Sequence, residues 1–217
     1  MLDFSILTNN WDLYMQGFRN TVLVSLIALV ASFVLGAIIA VMRIAPIKIL
    51  NAIGTIYVEF IRNIPLLLIA FIFFVGLPSI GIRLTGFVAG TVALSIYTSA
   101  FIAEAIRAGI MAVPKGQTEA ARSSGLTYLQ TMFQIILPQA IKIVVPTLGN
   151  QFINLVKNSS ILSVIAGLDL MYFGDLVASA TFVTFDVYIF VALFYLVLTI
   201  PLSLGVGYLE KRLARSN

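Results

Sequence analysis

Cysteine and histidine are both absent from this chain of 217 residues. The first absence excludes a disulfide framework and a thiol nucleophile. The second removes the commonest general base and the commonest zinc ligand. Charge is scarce as well: Asp, Glu, Lys and Arg make up 10 % of residues, against about 25 % in a soluble domain. Neither a G-x-x-x-x-G-K-[ST] phosphate loop nor an H-E-x-x-H metal site occurs. Together these absences exclude disorder, a nucleic-acid binder and almost any soluble enzyme.

What is present is apolar. Hydrophobic residues make up 60 % of the chain and the mean hydropathy is +1.07, so the chain is expected to be dissolved in lipid. The length suits one domain, or about five to six crossings of roughly 20 residues each plus loops. The net charge of +4, from 13 Lys and Arg against 9 Asp and Glu, reads as cytoplasmic loops enriched in basic residues. The opening MLDFSILTNNWDLYMQ carries acid rather than base and lacks a cleavable signal pattern, so the first apolar segment is expected to stay as a crossing.

Five segments read as spans: about Gly17 to Met42, one within Asn51–Pro78, one within Gly86–Ile110, one within Leu129–Gly167, and about Val187 to Leu209. The expected fold is therefore an all-α membrane protein of five transmembrane helices. Arg43 and Lys48 fall between spans one and two, Arg107, Lys115 and Arg122 around the loop between spans three and four, and Lys211, Arg212 and Arg215 at the C-terminus. These regions share one side, which should be the cytoplasm, with Asp3, Asp12, Asp169, Asp175 and Asp186 on the other. The N-terminus is then outside. Between Ser160 and Asp186 no run is long enough to span, which predicts an outer-side or re-entrant segment packed against protein. No internal repeat is visible, which argues mildly against many secondary transporters.

The most informative stretch is VPKGQTEAARSSGLTYLQTMFQIILPQA, Val113 to Ala140. Pro114-Lys115-Gly116 is a turn signal. Gln117 or Thr118 can cap a short helix with Glu119, Ala120, Ala121 and Arg122 as its body and Glu119 in its first turn. Gly125 ends that helix or permits close approach of another backbone. A second helix starts near Thr127 and is interrupted at Pro138. A short helix lying along the membrane would act as a stiff lever or docking knob, or as an ordinary interfacial helix.

Here the chain resembles the permeases of ABC importers. Glu119-Ala120-Ala121, then Gly125 after three residues, Ile135 after nine more, and Leu137-Pro138 after one more match their cytoplasmic signature. GFRNTVLVSLIAL, EFIRNIPLLL, AEAIRAGIMAVPKGQ and LVKNSSILSVI resemble the polar amino acid uptake branch of that family. The likeness runs from about Gln16 to Arg212, implying one permease domain over 16–212, a short extracytoplasmic segment over 1–15 and a cytoplasmic tail over 213–217. It implies the type I importer permease fold, with a coupling helix between helices 3 and 4 that includes Gly116, Glu119, Ala120, Ala121, Gly125, Leu137 and Pro138. It also implies residence in the cell membrane and partners: two ABC ATPase subunits, a second permease (the same chain or a sister), an extracytoplasmic amino-acid-binding protein, and membrane lipid. No cofactor is expected on this chain; ATP and Mg would be bound by the ATPase partner, so the permease itself is not expected to be an enzyme.

Polar groups at membrane depth mark candidate pathway residues. Glu59 and Arg62 lie three residues apart on one helical face, just before Asn63-Ile64-Pro65, where Pro65 should kink the helix. They face a pathway, or form a neutralised pair that fixes packing. Asn150, Asn154, Lys157 and Asn158 recur at three- and four-residue spacing, with Ser159 beside them. That stripe offers donors and acceptors to a zwitterionic amino acid, or inter-helix hydrogen bonds. Thr98, with Ser95, Tyr97 and Ser99, lines a pathway or simply packs helices. Glu104 and Arg107 are expected near the inner surface, bracing the coupling loop.

The family often has Asp where Asn158 stands, in a K-D-T-S-L pattern that here reads Lys157-Asn158-Ser159-Ser160-Ile161. An amide there favours glutamine, glutamate or aspartate as substrate over lysine or arginine. A basic amino acid or cystine is the alternative within the family. Outside it, an ATP-independent transporter would not need the Glu119–Pro138 loop. An intramembrane enzyme would have to use Lys157 with Ser159 or Ser160, which are too close in sequence for a comfortable pair.

Overall fold

Long apolar runs have to close their own backbone hydrogen bonds in lipid, and helices do so within one segment. In the computed structural model, which describes residues 2–214, the chain is accordingly built of helices. A short α1 (Phe4–Asn9) leads into α2 (Trp11–Ile44), then α3 (Lys48–Arg62), α4 (Leu66–Phe71), α5 (Gly86–Met111), α6 (Lys115–Ser123), α7 (Tyr128–Thr131), α8 (Leu137–Asn158), α9 (Leu170–Thr181) and α10 (Thr184–Ala214). Arg215 lies outside the described residues.

Among the described residues, four helical segments are long and apolar enough to cross a membrane unaided: Trp11–Ile44, Gly86–Met111, Tyr128–Ile165 and Thr184–Leu213. The expected second span is different. Lys48–Arg62 and Leu66–Ile80 are each helical but meet at 102°. Pro65 sits at the break as the residue before α4, and the Asn63 amide donates back to the Glu59 carbonyl at 2.6 Å, which satisfies one of the carbonyls the break frees. The pair still counts as one crossing. Its start lies beside Arg43, where Asn51 donates to the Arg43 carbonyl. Its end lies close to the start of α5, six positions on from Ile80.

The helices run end to end in a consistent sense. The first turns of α2 pack against α9: Leu170 donates its backbone N–H to Thr21 Oγ1 at 2.9 Å. Near the start of α10, Phe190 meets Phe4 edge to face, and Asp3 N–H bonds to Asp186. One end of the bundle thus gathers Asp3, Asp12, Asp169, Asp175 and Asp186. The other carries Arg43, Lys48, Arg107, Lys115, Arg122, Lys211 and Arg212, as the charge pattern predicts.

At the centre stands α5, whose apolar stretch is 67 % buried against 11 % for that of α10. Small residues allow this: Ala89, Ala93, Ala100 and Ala103 are wholly enclosed. At its first residue, Gly86, an added Cβ would lie 1.9 Å from the Ile165 carbonyl oxygen, so only glycine lets the 159–165 turn rest on the start of α5. That turn and α9 form the segment expected not to span; the turn packs against α2 and α5, and α9 against α2 and α10. Asp169 starts α9 with its carboxylate accepting from the Met171 and Tyr172 N–H groups, at 3.0 and 3.4 Å, and the Tyr195 hydroxyl donates to it at 3.4 Å. At the basic end, Glu104 joins α2 to α5: it accepts from Arg43 and, at 2.8 Å, from Arg107.

The loop differs from expectation in detail. No side chain caps α6, which starts at Lys115 after Pro114 rather than at Gln117 or Thr118, so Glu119 stands beyond its first turn. Gly125 does end it, at φ +86°, with nothing within 4 Å of an added Cβ, so the turn and not a close approach requires glycine here. Thr127 begins α7 in a capping box with Gln130. Pro138 does not interrupt the helix that follows. Met132–Ile136 forms a π-helical turn two residues ahead of it, and α8 continues through. A wide turn relieves the clash between a proline ring and the carbonyl four residues earlier. The same arrangement recurs where a π turn over Ile72–Gly76 precedes Pro78.

Candidate functional site

Halfway along the bundle, α5 and α8 leave a cavity of about 260 Å³ between them, lined by Tyr97, Thr98, Phe101, Gln151, Asn154, Leu155 and Asn158. Drug-sized ligands occupy roughly 300–1,000 Å³, so this space suits a small metabolite. Residues three and four apart share a helix face, which is why Gln151, Asn154, Leu155 and Asn158 face it from one side and Tyr97, Thr98 and Phe101 from the other. The hydroxyls of Tyr97 and Thr98 and the carboxamides of Gln151, Asn154 and Asn158 have no hydrogen-bond partner among the described residues, although Thr98 is 3 % exposed. Three free amides and two free hydroxyls offer both donors and acceptors, and no charged side chain lines the space.

The expected polar stripe divides. Asn154 and Asn158 turn into this cavity, and so does Gln151. Asn150 is exposed. Lys157 lines a separate cleft with Ser160, Tyr188 and Tyr195. Ser159 is wholly buried and donates to the Val156 carbonyl at 2.8 Å. Nor do Glu59 and Arg62 pair with each other. Arg62 instead rests over the Phe101 ring, 5.4 Å from its centroid, a cation–π contact that brings a guanidinium to within one ring of the cavity. Ser99 and Tyr57 share a hydrogen bond of 2.7 Å that ties α3 to α5. Sequence alone does not single out Phe101, because an aromatic in an apolar run carries no periodic signal of its own.

At the basic end, α6 presents an almost bare surface. Only Ala121 of its nine residues is buried; Gly116, Glu119 and Ala120 are exposed, and Gly116 has open space around it. Its C-terminal end is nevertheless tied down. Gly125 N–H bonds to the Arg122 carbonyl and Leu126 N–H to that of Ala121, while Arg122 returns a bond of 2.7 Å to the Leu126 carbonyl. Pro138 is exposed, and Leu137 is half-buried in a cluster with Ile110, Val113, Ile136 and Ala140. The helix is therefore held at its C-terminal end and left open on its outer side.

Residues 15–215 match the family described as binding-protein-dependent transport system inner membrane component. A Bacillus subtilis (strain 168) protein named "Probable glutamine ABC transporter permease protein GlnM" is 72 % identical over 99 % of this chain and 100 % of its own length. Another from the same organism, "Probable glutamine ABC transporter permease protein GlnP", is 41 % identical over 93 % and 92 %. Among solved structures, a chain from "Crystal structure of an amino acid ABC transporter with histidines" superposes with a TM-score of 0.92 at 39 % identity, covering 98 % of this chain and 99 % of that one.

Proposed function

Since the chain belongs to the family of binding-protein-dependent transport system inner membrane components, we propose that the cavity between α5 and α8 is the place where a glutamine-like amino acid passes through it. The chain is a multi-pass membrane protein and the permease subunit of an amino-acid ABC transporter. The cavity favours one amino acid over others. Its walls are uncharged and its three carboxamides are unpaired, which is the lining a side-chain amide needs. Glutamate and aspartate bring a second carboxylate that finds no cation there, and lysine or arginine finds no anion. Arg62, over Phe101, is placed to attract the α-carboxylate at the rim. The name carried by the 72 % identical relative agrees with glutamine.

The remaining parts follow from the family. The basic end faces the cytoplasm. The exposed side of α6, with Gly116, Glu119 and Ala120, is the surface that a separate ATPase grips, and two such subunits hold the ATP and Mg. A second permease copy or sister closes the open side of the cavity, and an extracytoplasmic binding protein delivers substrate to the acidic end. The carrying observation is the set of unpartnered amides in the cavity. In vesicles holding the complete transporter, Asn154→Ala and Thr98→Val should each weaken the apparent affinity for glutamine about twofold to tenfold, the equivalent of ~0.5–1.5 kcal/mol per lost hydrogen bond. Uptake that prefers arginine to glutamine would overturn the assignment.

A further inference from the structure

A second cavity, of about 450 Å³, opens at the basic end where α2, α3, α5, α6 and α7 converge. Three cations line it: Arg43, Arg107 and Lys115. The first two share the carboxylate of Glu104, and Glu59 adds a more distant negative charge on Arg107, so three positive charges are met by two negative ones. Two buried donors on its walls are also without partners. The Arg43 side chain is 7 % exposed and its Nε makes no hydrogen bond; Thr131 is 2 % exposed and its hydroxyl makes none. Both atoms lie behind the cavity wall, and the cations whose charge reaches into the space are Arg107, 32 % exposed, and Lys115.

Beside it runs a groove of about 360 Å³ that shares Ile44, Ile110, Tyr128 and Met132 with the cavity and exposes no polar surface. The groove leads past Ala37 and Val41 onto the outer side of α2, where Val34, Ile38 and Val41 are 53–62 % exposed. An occupant that satisfies both spaces needs an anionic head and an apolar tail. We propose that this pair of spaces is a binding site for an anionic phospholipid of the leaflet at the basic end, its phosphate between Lys115 and Arg107 and an acyl chain in the groove. Basic pockets between helices that open onto lipid are the general form of such sites. Lys115 and Thr118 belong to α6, whereas Arg43 and Asn51 belong to α2 and α3, so a bound head group would bridge the exposed helix to the bundle.

The test is native mass spectrometry of the intact transporter, delipidated in detergent and then offered phosphatidylglycerol, phosphatidylcholine or inorganic phosphate. Phosphatidylglycerol should be retained, one per copy of this chain, at least tenfold more strongly than phosphatidylcholine, and inorganic phosphate should not compete at equal concentration. Lys115→Gln should weaken retention about fivefold, the change equivalent to ~1 kcal/mol per lysine at an anionic surface. Ala37→Phe, which fills the groove and leaves the charges intact, should weaken it at least as much. Lys115 lies on the helix assigned to the ATPase contact, so retention is compared on the intact complex, which the spectrum itself reports, and Ala37→Phe tests the groove away from that contact. Equal retention of the two lipids would overturn the proposal, as would displacement by inorganic phosphate, which would mark a free-anion site. Unchanged phosphatidylglycerol retention in both variants would do the same.

Discussion

Asp169 has no exposed surface, and its burial pushes the carboxyl up from its ordinary value to about 7, against the opposing pull of the Met171 and Tyr172 N–H groups. A carboxyl raised in the folded state binds its proton there more tightly than in the unfolded chain. Folding is therefore least penalised at acid pH, and the penalty grows as pH rises from about 4 through 7. Thermal stability of the purified protein should fall between pH 5 and pH 8. Asp169→Asn, which keeps a competent helix cap, should flatten that slope. A slope unchanged in the variant would assign the dependence to another group. Gly125 carries a second residue-scale prediction. Its left-handed backbone in open space means that Gly125→Val costs about 1–2 kcal/mol from conformation alone, whereas Gly125→Asn should be tolerated because asparagine visits that region. If α6 transmits motion as proposed, the valine variant should hydrolyse ATP with less glutamine taken up per turnover, and the asparagine variant should not; equal coupling ratios in the two would refute it. The glycine was legible as a helix end from sequence. The direction each polar side chain faces was not, because Asn150 and Lys157 satisfy the same spacing as Asn154 and Asn158, and only packing against α5 separates them.

At the scale of elements, prolines explain most of the departures from ideal spans. Hydropathy located every long helix, with ends misplaced by up to six residues, since each needs about 20 apolar residues to cross. It could not show that the second span is two helices at 102°: mean apolarity is the same for a straight or a bent segment, and Pro65 announces a break without its angle. Nor could it show that a π turn precedes both Pro78 and Pro138, or that the helix runs on through Pro138. A π turn shifts the facing of everything beyond it, so Pro138 helps to set how α7 and α6 are aimed. Pro138→Ala should let the 132–136 turn relax toward ordinary α geometry and rotate the two faces relative to each other. Reduced uptake with unchanged abundance in the membrane is the expected result, and full activity would show that the π turn is dispensable.

Across the whole molecule, the division into an acidic and a basic end was readable from charge placement, but the joint that fixes the basic end was not. Arg43 and Glu104 are 61 positions apart, and no periodicity links them. Glu104→Gln would leave the enclosed Arg43 charged without its counter-ion, a loss of about 3–5 kcal/mol for a broken buried pair. A lowered unfolding temperature in detergent should register it, and one unchanged from wild type would show that Arg43 finds another partner. The bent second span has a further consequence, for biogenesis. Each of its halves, Lys48–Arg62 and Leu66–Ile80, has 15 residues, or about 22 Å of helix at 1.5 Å per residue, short of the roughly 30 Å of hydrocarbon to be bridged. Neither half can partition into the bilayer as a free-standing unit during synthesis. The two halves are therefore expected to enter the bilayer together, with α5, which packs against both, as their shelter.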